Sequence, residues 1–176
     1  MHRRLLLLGL LRREDMHGYQ LNEFIESDFS FCTDVKKPTA YYLLDRLAEE
    51  NYITVLAEEQ PVPGRPPRRT YRITAEGERH FFELLRETLV TYTPHTFPGD
   101  IGIAFLDTLP GDEAAALLNT RSDAIRAALE SLRETPEHAG SLGYVIEHHV
   151  LHLEAEIAWL EKVIDTLRHR HAHEEP

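Results

Sequence analysis

A single cysteine, Cys32, leaves the chain without a partner for an intrachain disulfide, and that fits a reducing compartment. Long apolar runs are missing as well. The longest, Leu5 to Leu11, falls far short of the roughly 20 residues that span a bilayer. Arg3 and Arg4 before it imitate the start of a secretory leader. No small-residue cleavage site follows, however, and Arg12, Arg13, Glu14 and Asp15 come next. The expectation is a buried helix in a cytoplasmic protein with no membrane partner. Signatures of catalysis are also lacking: there is no G-x-S-x-G, no phosphate-cradling glycine loop and no C-x-x-C. The chain is expected to be no enzyme and to carry no cofactor.

Basic charge is scarce too. Lys and Arg number 19 against 30 Asp and Glu, a net charge of −11, whereas a nucleic-acid-binding domain usually has a basic surplus. The deficit is uneven. Residues 1–80 hold 12 basic and 13 acidic residues, and residues 81–176 hold 7 and 17. Contact with DNA would have to come from a local patch in the first half, working against the field of the whole chain.

What is present reads as helix, helix, helix, strand, strand, helix in the first half. Leu5–Leu11 is apolar all round. A second helix is predicted over His17 to Ser27, with Leu21, Phe24 and Ile25 at i, i+3, i+4. A third opens at Pro38, buries Ala40, Leu43, Leu44 and Leu47, and stops at Asn51, which tolerates a left-handed backbone. Strands follow at Tyr52–Glu58 and Thr70–Ile73, joined by a loop with four prolines. Thr74 then reads as the N-cap of a helix that buries Phe81, Phe82, Leu85 and Leu89. A proline- and threonine-containing break, residues 92–98, separates a domain over 1–91 from one over 99–176.

The second domain is predicted to be helical over Ile101–Leu109, Asp112–Arg133 and Leu142–Arg168. In the last of these, Ile146, Val150, Leu153, Ile157, Leu160, Ile164 and Leu167 recur in steps of four and three. Such a heptad seam suits helix pairing between two copies of the chain. The fold class expected is therefore mainly α with a small β-hairpin wing: a winged helix-turn-helix followed by a helical dimerisation domain.

In a winged helix-turn-helix the third helix enters the major groove. Its outer face here carries Thr39, Tyr42, Asp45, Arg46 and Glu49, with Lys36 and Lys37 before the first turn, where free N–H groups attract phosphate. Arg65, Arg68 and Arg69 concentrate in the proline-stiffened wing, placed to bind phosphate or a narrow minor groove. The candidate DNA contacts are thus Lys36, Lys37, Thr39, Tyr42, Arg46, Arg65, Arg68 and Arg69, and the candidate partner is double-stranded operator DNA.

Three spaced motifs resemble the PadR family of regulators: Leu8-Gly9-Leu10-Leu11 with Met16-His17-Gly18-Tyr19-Gln20-Leu21, then Pro38 to Ile53, then Gly64 to Gly77. The resemblance covers residues 5–90 closely and is weaker beyond 100. It implies a homodimer on a pseudo-palindromic operator, usually a repressor, and some members of the family respond to phenolic or other aromatic compounds. Two positions depart from the family pattern. Asn51 stands where glycine is usual, and Asp45 stands where a basic residue is common. Asp45 can either accept from cytosine N4 or weaken contact with phosphate.

Phe97, Phe105, Tyr144 and Trp159 are candidates for an aromatic effector site, although packing between helices accounts for them equally well. His148, His149, His152 and Glu156 have spacing that can place two ligands on one metal, but positions flanking a helix seam explain them at least as well, and no metal is expected. Two alternatives to the repressor remain: a winged helix that serves as a protein-interaction module, favoured by the acidic balance, and a metal-responsive regulator using those histidines.

Overall fold

The computed structural model describes residues 1–29, 33, 35–58, 69–134 and 140–174. The chain divides into two compact units, residues 1–94 and 95–176. The first runs α1 (His2–Leu11), β1 (Met16–His17), α2 (Gly18–Asp28), α3 (Lys37–Glu49), β2 (Ile53–Glu58), β3 (Arg69–Ile73) and α4 (Ala75–Val90). The second comprises α5 (Asp100–Ala104), a 3-10 turn at Leu106–Thr108, α6 (Gly111–Arg133) and α7 (Ser141–Glu174). The protein is mainly helical with one small antiparallel sheet, and no described helix is long and apolar enough to cross a membrane.

The first unit is organised by α1, whose Leu7, Leu8, Leu10 and Leu11 are buried together with Leu21, Ala40, Leu44, Leu47, Ile53 and Tyr71. Burial of each leucine contributes about 1.5–3 kcal/mol. α3 starts one residue before Pro38, with Lys36 as its N-cap. It ends in a Schellman arrangement: Tyr52 N–H donates to Leu47 O at 2.9 Å and Asn51 N–H to Ala48 O at 3.0 Å. Asn51 itself has φ 62°. The sheet order is β1-β3-β2, with Met16 opposite Tyr71 and Ile53 opposite Ile73. The two-residue strand β1 was not expected from the sequence, because so short a segment has no periodicity to detect.

Thr74 joins three elements. Its hydroxyl accepts from Gly77 N at 3.0 Å and donates to Asn51 O at 2.8 Å, while its own N–H donates to Tyr52 O at 3.0 Å. Gly77 follows in close contact, since a Cβ there would stand 2.0 Å from Tyr52 O. This contact fixes the rotation of α4, and the expected inward face is corrected accordingly. Leu84 is buried and Phe81 packs against the core, whereas Phe82 is 37% exposed and Leu89 76% exposed. Phe82 lies instead under the guanidinium groups of Arg12 and Arg86, 4.7 and 5.7 Å from its ring centre.

In the second unit α6 and α7 form an antiparallel pair. Ala114, Ala115 and Leu118 pack against Leu160, Ile164 and Leu167, and ion pairs Arg121–Glu156, Arg126–Glu161 and Arg133–Glu154 tie the two helices along their length. The heptad seam is therefore corrected in its C-terminal part. Ile157, Leu160, Ile164 and Leu167 are buried within a single chain, because steps of three and four serve an intrachain helix pair as well as an intermolecular one. Ile146, Val150 and Leu153 are half-buried.

Candidate nucleic-acid interface

Ala40, Leu44 and Leu47 pin one side of α3 into the core, and helical geometry turns Tyr42, Asp45, Arg46 and Glu49 outward. Tyr42 is 63% exposed. Lys36 and Lys37 are exposed at the first turn of α3, and Thr39 is half-buried beside them. Those first-turn N–H groups and the positive end of the helix dipole face the same side as the two lysines. Arg69 opens β3 and reaches α3: its Nη1 stands 3.3 Å from Asp45 Oδ1. The structure thus brings Lys36, Lys37, Thr39, Tyr42, Arg46 and Arg69 into one unit. Arg65 and Arg68 lie outside the described residues, as does Cys32.

The arginines of this face carry carboxylates already. Arg46 donates to Glu49 at 2.8 Å and lies 3.5 Å from Glu50. Glu50 also accepts from Arg4 of α1; that hydrogen bond, followed by the charges of Arg4 and Arg46, holds its carboxyl below the usual range despite partial desolvation. Arg69 donates to Asp45. Burial, and then the charge of Asp45, pushes the Tyr71 phenol up. Sequence reasoning located the arginines and missed these partners.

β3 is anchored from its other side by a pair that sequence reasoning also missed. Arg72 grips Asp15 through Nε and Nη2, at 2.9 Å to Oδ1 and 2.5 Å to Oδ2, and this contact lowers the Asp15 pKa and raises that of Arg72. Thr70 Oγ1 meets His17 Nδ1 at 3.0 Å, and His17, the N-cap of α2, donates from its backbone N–H to Gln20 Oε1 at 2.8 Å. The base of the hairpin and the start of α2 are held as one piece.

The other candidates belong to the second unit. Phe97 stacks on His152 with ring centres 5.6 Å apart, and Phe97, Phe105, Tyr144 and Trp159 are each exposed in a single chain. His148 and His149 meet edge to face at 5.9 Å. Burial, then the neighbouring His148 and His152, holds the His149 imidazole below its ordinary pKa. Glu156 is engaged by Arg121, and among the described residues no group of three or more His, Cys, Asp or Glu is arranged to hold a metal.

Comparison with known proteins places this geometry. Residues 7–83 match the transcriptional regulator PadR-like family. An uncharacterized protein of Lysinibacillus sphaericus is 27% identical over 82 residues, which are 47% of this chain and 73% of that protein. Bacillus subtilis PadR in complex with operator DNA superposes with a TM-score of 0.77 at 18% identity, over 93% of this chain and 98% of that one. The same protein in complex with p-coumaric acid gives 0.75 at 18% identity, covering 94% and 98%. The Vibrio cholerae virulence activator AphA gives 0.69 at 14% identity, covering 96% and 99%. These likenesses establish a shared fold along nearly the whole chain.

Proposed function

We propose that this chain, whose residues 7–83 match the transcriptional regulator PadR-like family, is a sequence-specific transcriptional regulator that binds operator DNA as a homodimer, represses, and is released by a small aromatic effector. The observation that carries DNA binding is the outward face of α3. Lys36, Lys37, Tyr42 and Arg46 are presented to solvent on a helix whose opposite side is locked in the core, and the hairpin base at Arg69 adjoins them. Arg65 and Arg68 are assigned to DNA contact on their sequence alone.

Homodimerisation is assigned to the unburied side of α7. Tyr144, His148, Leu151, Ala155 and Trp159 follow one another in steps of four, three, four and four, opposite the side that packs on α6. Tyr144 is 74% exposed and Leu151 57%. A second copy is the occupant proposed for this stripe, while Ile146, Val150 and Leu153 continue the side of α7 that carries Leu160 and Ile164 and are also assigned to the dimer. Two recognition helices held about one DNA turn apart, ~34–36 Å, would read a pseudo-palindrome. An aromatic effector near Phe97, Phe105, Tyr144 and Trp159 would release DNA by binding better to a dimer arrangement with a different spacing.

Binding to the chain's own upstream DNA, with competitor DNA present, tests the core of this assignment. Tight binding that outlasts competitor is expected, and charge reversal at Arg65, Arg68 and Arg69 should abolish it. A folded dimer that ignores DNA even at low salt would instead make the winged helix a protein-interaction module. Trp159 is the only tryptophan, so its fluorescence reports directly on aromatic acids titrated into the protein; an unchanged signal together with undiminished operator binding would remove the effector from the scheme.

A further inference from the structure

We propose that Asp45 and Arg69 act as one unit that selects a C·G base pair in each half-site, the carboxylate accepting from cytosine N4 and the guanidinium donating to the paired guanine. This rests on the assignment of α3 as the helix that enters the major groove. Asp45 stands on the exposed side of α3 and Arg69 at the start of β3, 24 residues away, with Nη1 3.3 Å from Oδ1. Asp45 keeps 59% and Arg69 40% of its side chain exposed. An ion pair so open to solvent adds little to stability, so holding the fold together does not account for it.

The chemistry of the groove edge supplies the rest. A carboxylate only accepts hydrogen bonds. Guanine N7 and O6 and thymine O4 are acceptors and repel it, and the adenine amino group is flanked by the N7 acceptor. Cytosine offers the N4 amino donor, and across the same base pair guanine offers acceptors suited to arginine. Asp45 and Arg69 therefore present an acceptor and a donor side by side, as the edge of one C·G pair requires. Arg69 has a second role before DNA arrives, because it neutralises a carboxylate that would otherwise approach phosphates unpaired.

Selection of bound sequences from a randomised duplex library, run in parallel on wild type, D45N, D45A and R69A, tests the pairing of roles. Circular dichroism and thermal melts would confirm that each variant keeps its fold. Wild type is expected to require a C·G pair at one position per half-site. D45N should move that preference toward A·T, because an amide pairs with adenine N6 and N7. D45A and R69A should each relax the same position, lowering its discrimination roughly 5- to 150-fold, and should leave the other positions unchanged. Uniformly tighter binding of D45N and D45A with an unaltered motif would overturn the proposal and leave Asp45 as a brake on phosphate contact. Relaxation by R69A at a different position would also overturn it, by separating the two residues. A wild-type protein that enriches no sequence would fail earlier, by sinking the assignment of α3 to DNA.

Discussion

Asn51 holds a backbone conformation that few side chains accept. Its φ of 62° lies in the left-handed region, where asparagine is tolerated and glycine is unstrained. Asn51→Ala is expected to cost roughly 1–2 kcal/mol, and Asn51→Gly to be neutral or slightly stabilising, measured by urea denaturation. Gly77 is constrained by space instead. A Cβ there would meet the Tyr52 carbonyl at 2.0 Å and Ile73 Cγ1 at 2.9 Å, and backbone against backbone cannot give way. Gly77→Ala should destabilise by roughly 3 kcal/mol or more. Gly99→Ala is the control, because the nearest atoms its Cβ would meet are the tips of the Arg121 side chain, which can move. His149 supplies a pH dependence. Its folded pKa lies below the ordinary 6.5, so the native state binds that proton less readily than the unfolded chain. The stability it contributes is complete above pH 6.5 and declines as pH falls through the folded pKa. Its NMR titration midpoint should lie below 6.5 and rise when His148 and His152 are replaced by alanine; a midpoint at or above 6.5 would contradict the burial described.

At the scale of elements, the junction at Thr74 links the end of α3 to the start of α4. Thr74→Ala removes the cap on Gly77 N and the bond to Asn51 O together, and should cost about 1–2 kcal/mol, with Thr74→Ser recovering most of it. Hydrogen exchange should localise the loss to the last turn of α3 and the first of α4. Caps of this kind are legible in sequence because their chemistry is local: Pro38, Asn51 and Thr74 each mark a helix end through their own side chain. The rotation of α4 was not legible. Phe82 and Leu89 look like core residues by type, but the contact of Gly77 with Tyr52 turns the line Gly77, Phe81 and Leu84 inward and leaves them out. β1 escaped for a related reason, since Met16 and His17 become a strand only by pairing with Tyr71 and Thr70.

For the whole molecule, the seam of α7 shows where sequence periodicity stops being informative. Steps of three and four mark an apolar face and do not say whether the same chain or a second copy covers it. The structure answers for Leu160, Ile164 and Leu167, which face α6. Leu160→Asp should therefore unfold the second unit, whereas Leu151→Asp or Trp159→Glu should leave helix content intact and yield monomers by sedimentation. If Leu151→Asp remains a stable dimer, the exposed stripe is not the interface. The cations of the candidate DNA face were equally visible in sequence, and their carboxylates were not, because Arg69 and Asp45 meet only after the hairpin folds back.

Those carboxylates bear on how the protein would respond to its ionic surroundings. An arginine that arrives with a fixed anion brings its own counterion, so pressing it against a phosphate changes the local charge by less than one unit and sets fewer condensed ions free. Arg46 with Glu49, and Arg69 with Asp45, are charge-balanced before any DNA is present. A count of basic residues on this face therefore overstates the salt sensitivity of binding, and Glu49→Gln should steepen the log–log salt slope by up to about one. In osmotic terms the built-in anions act as a buffer: occupancy of DNA would hold through swings in salt that strip a bare lysine- and arginine-rich domain from its site.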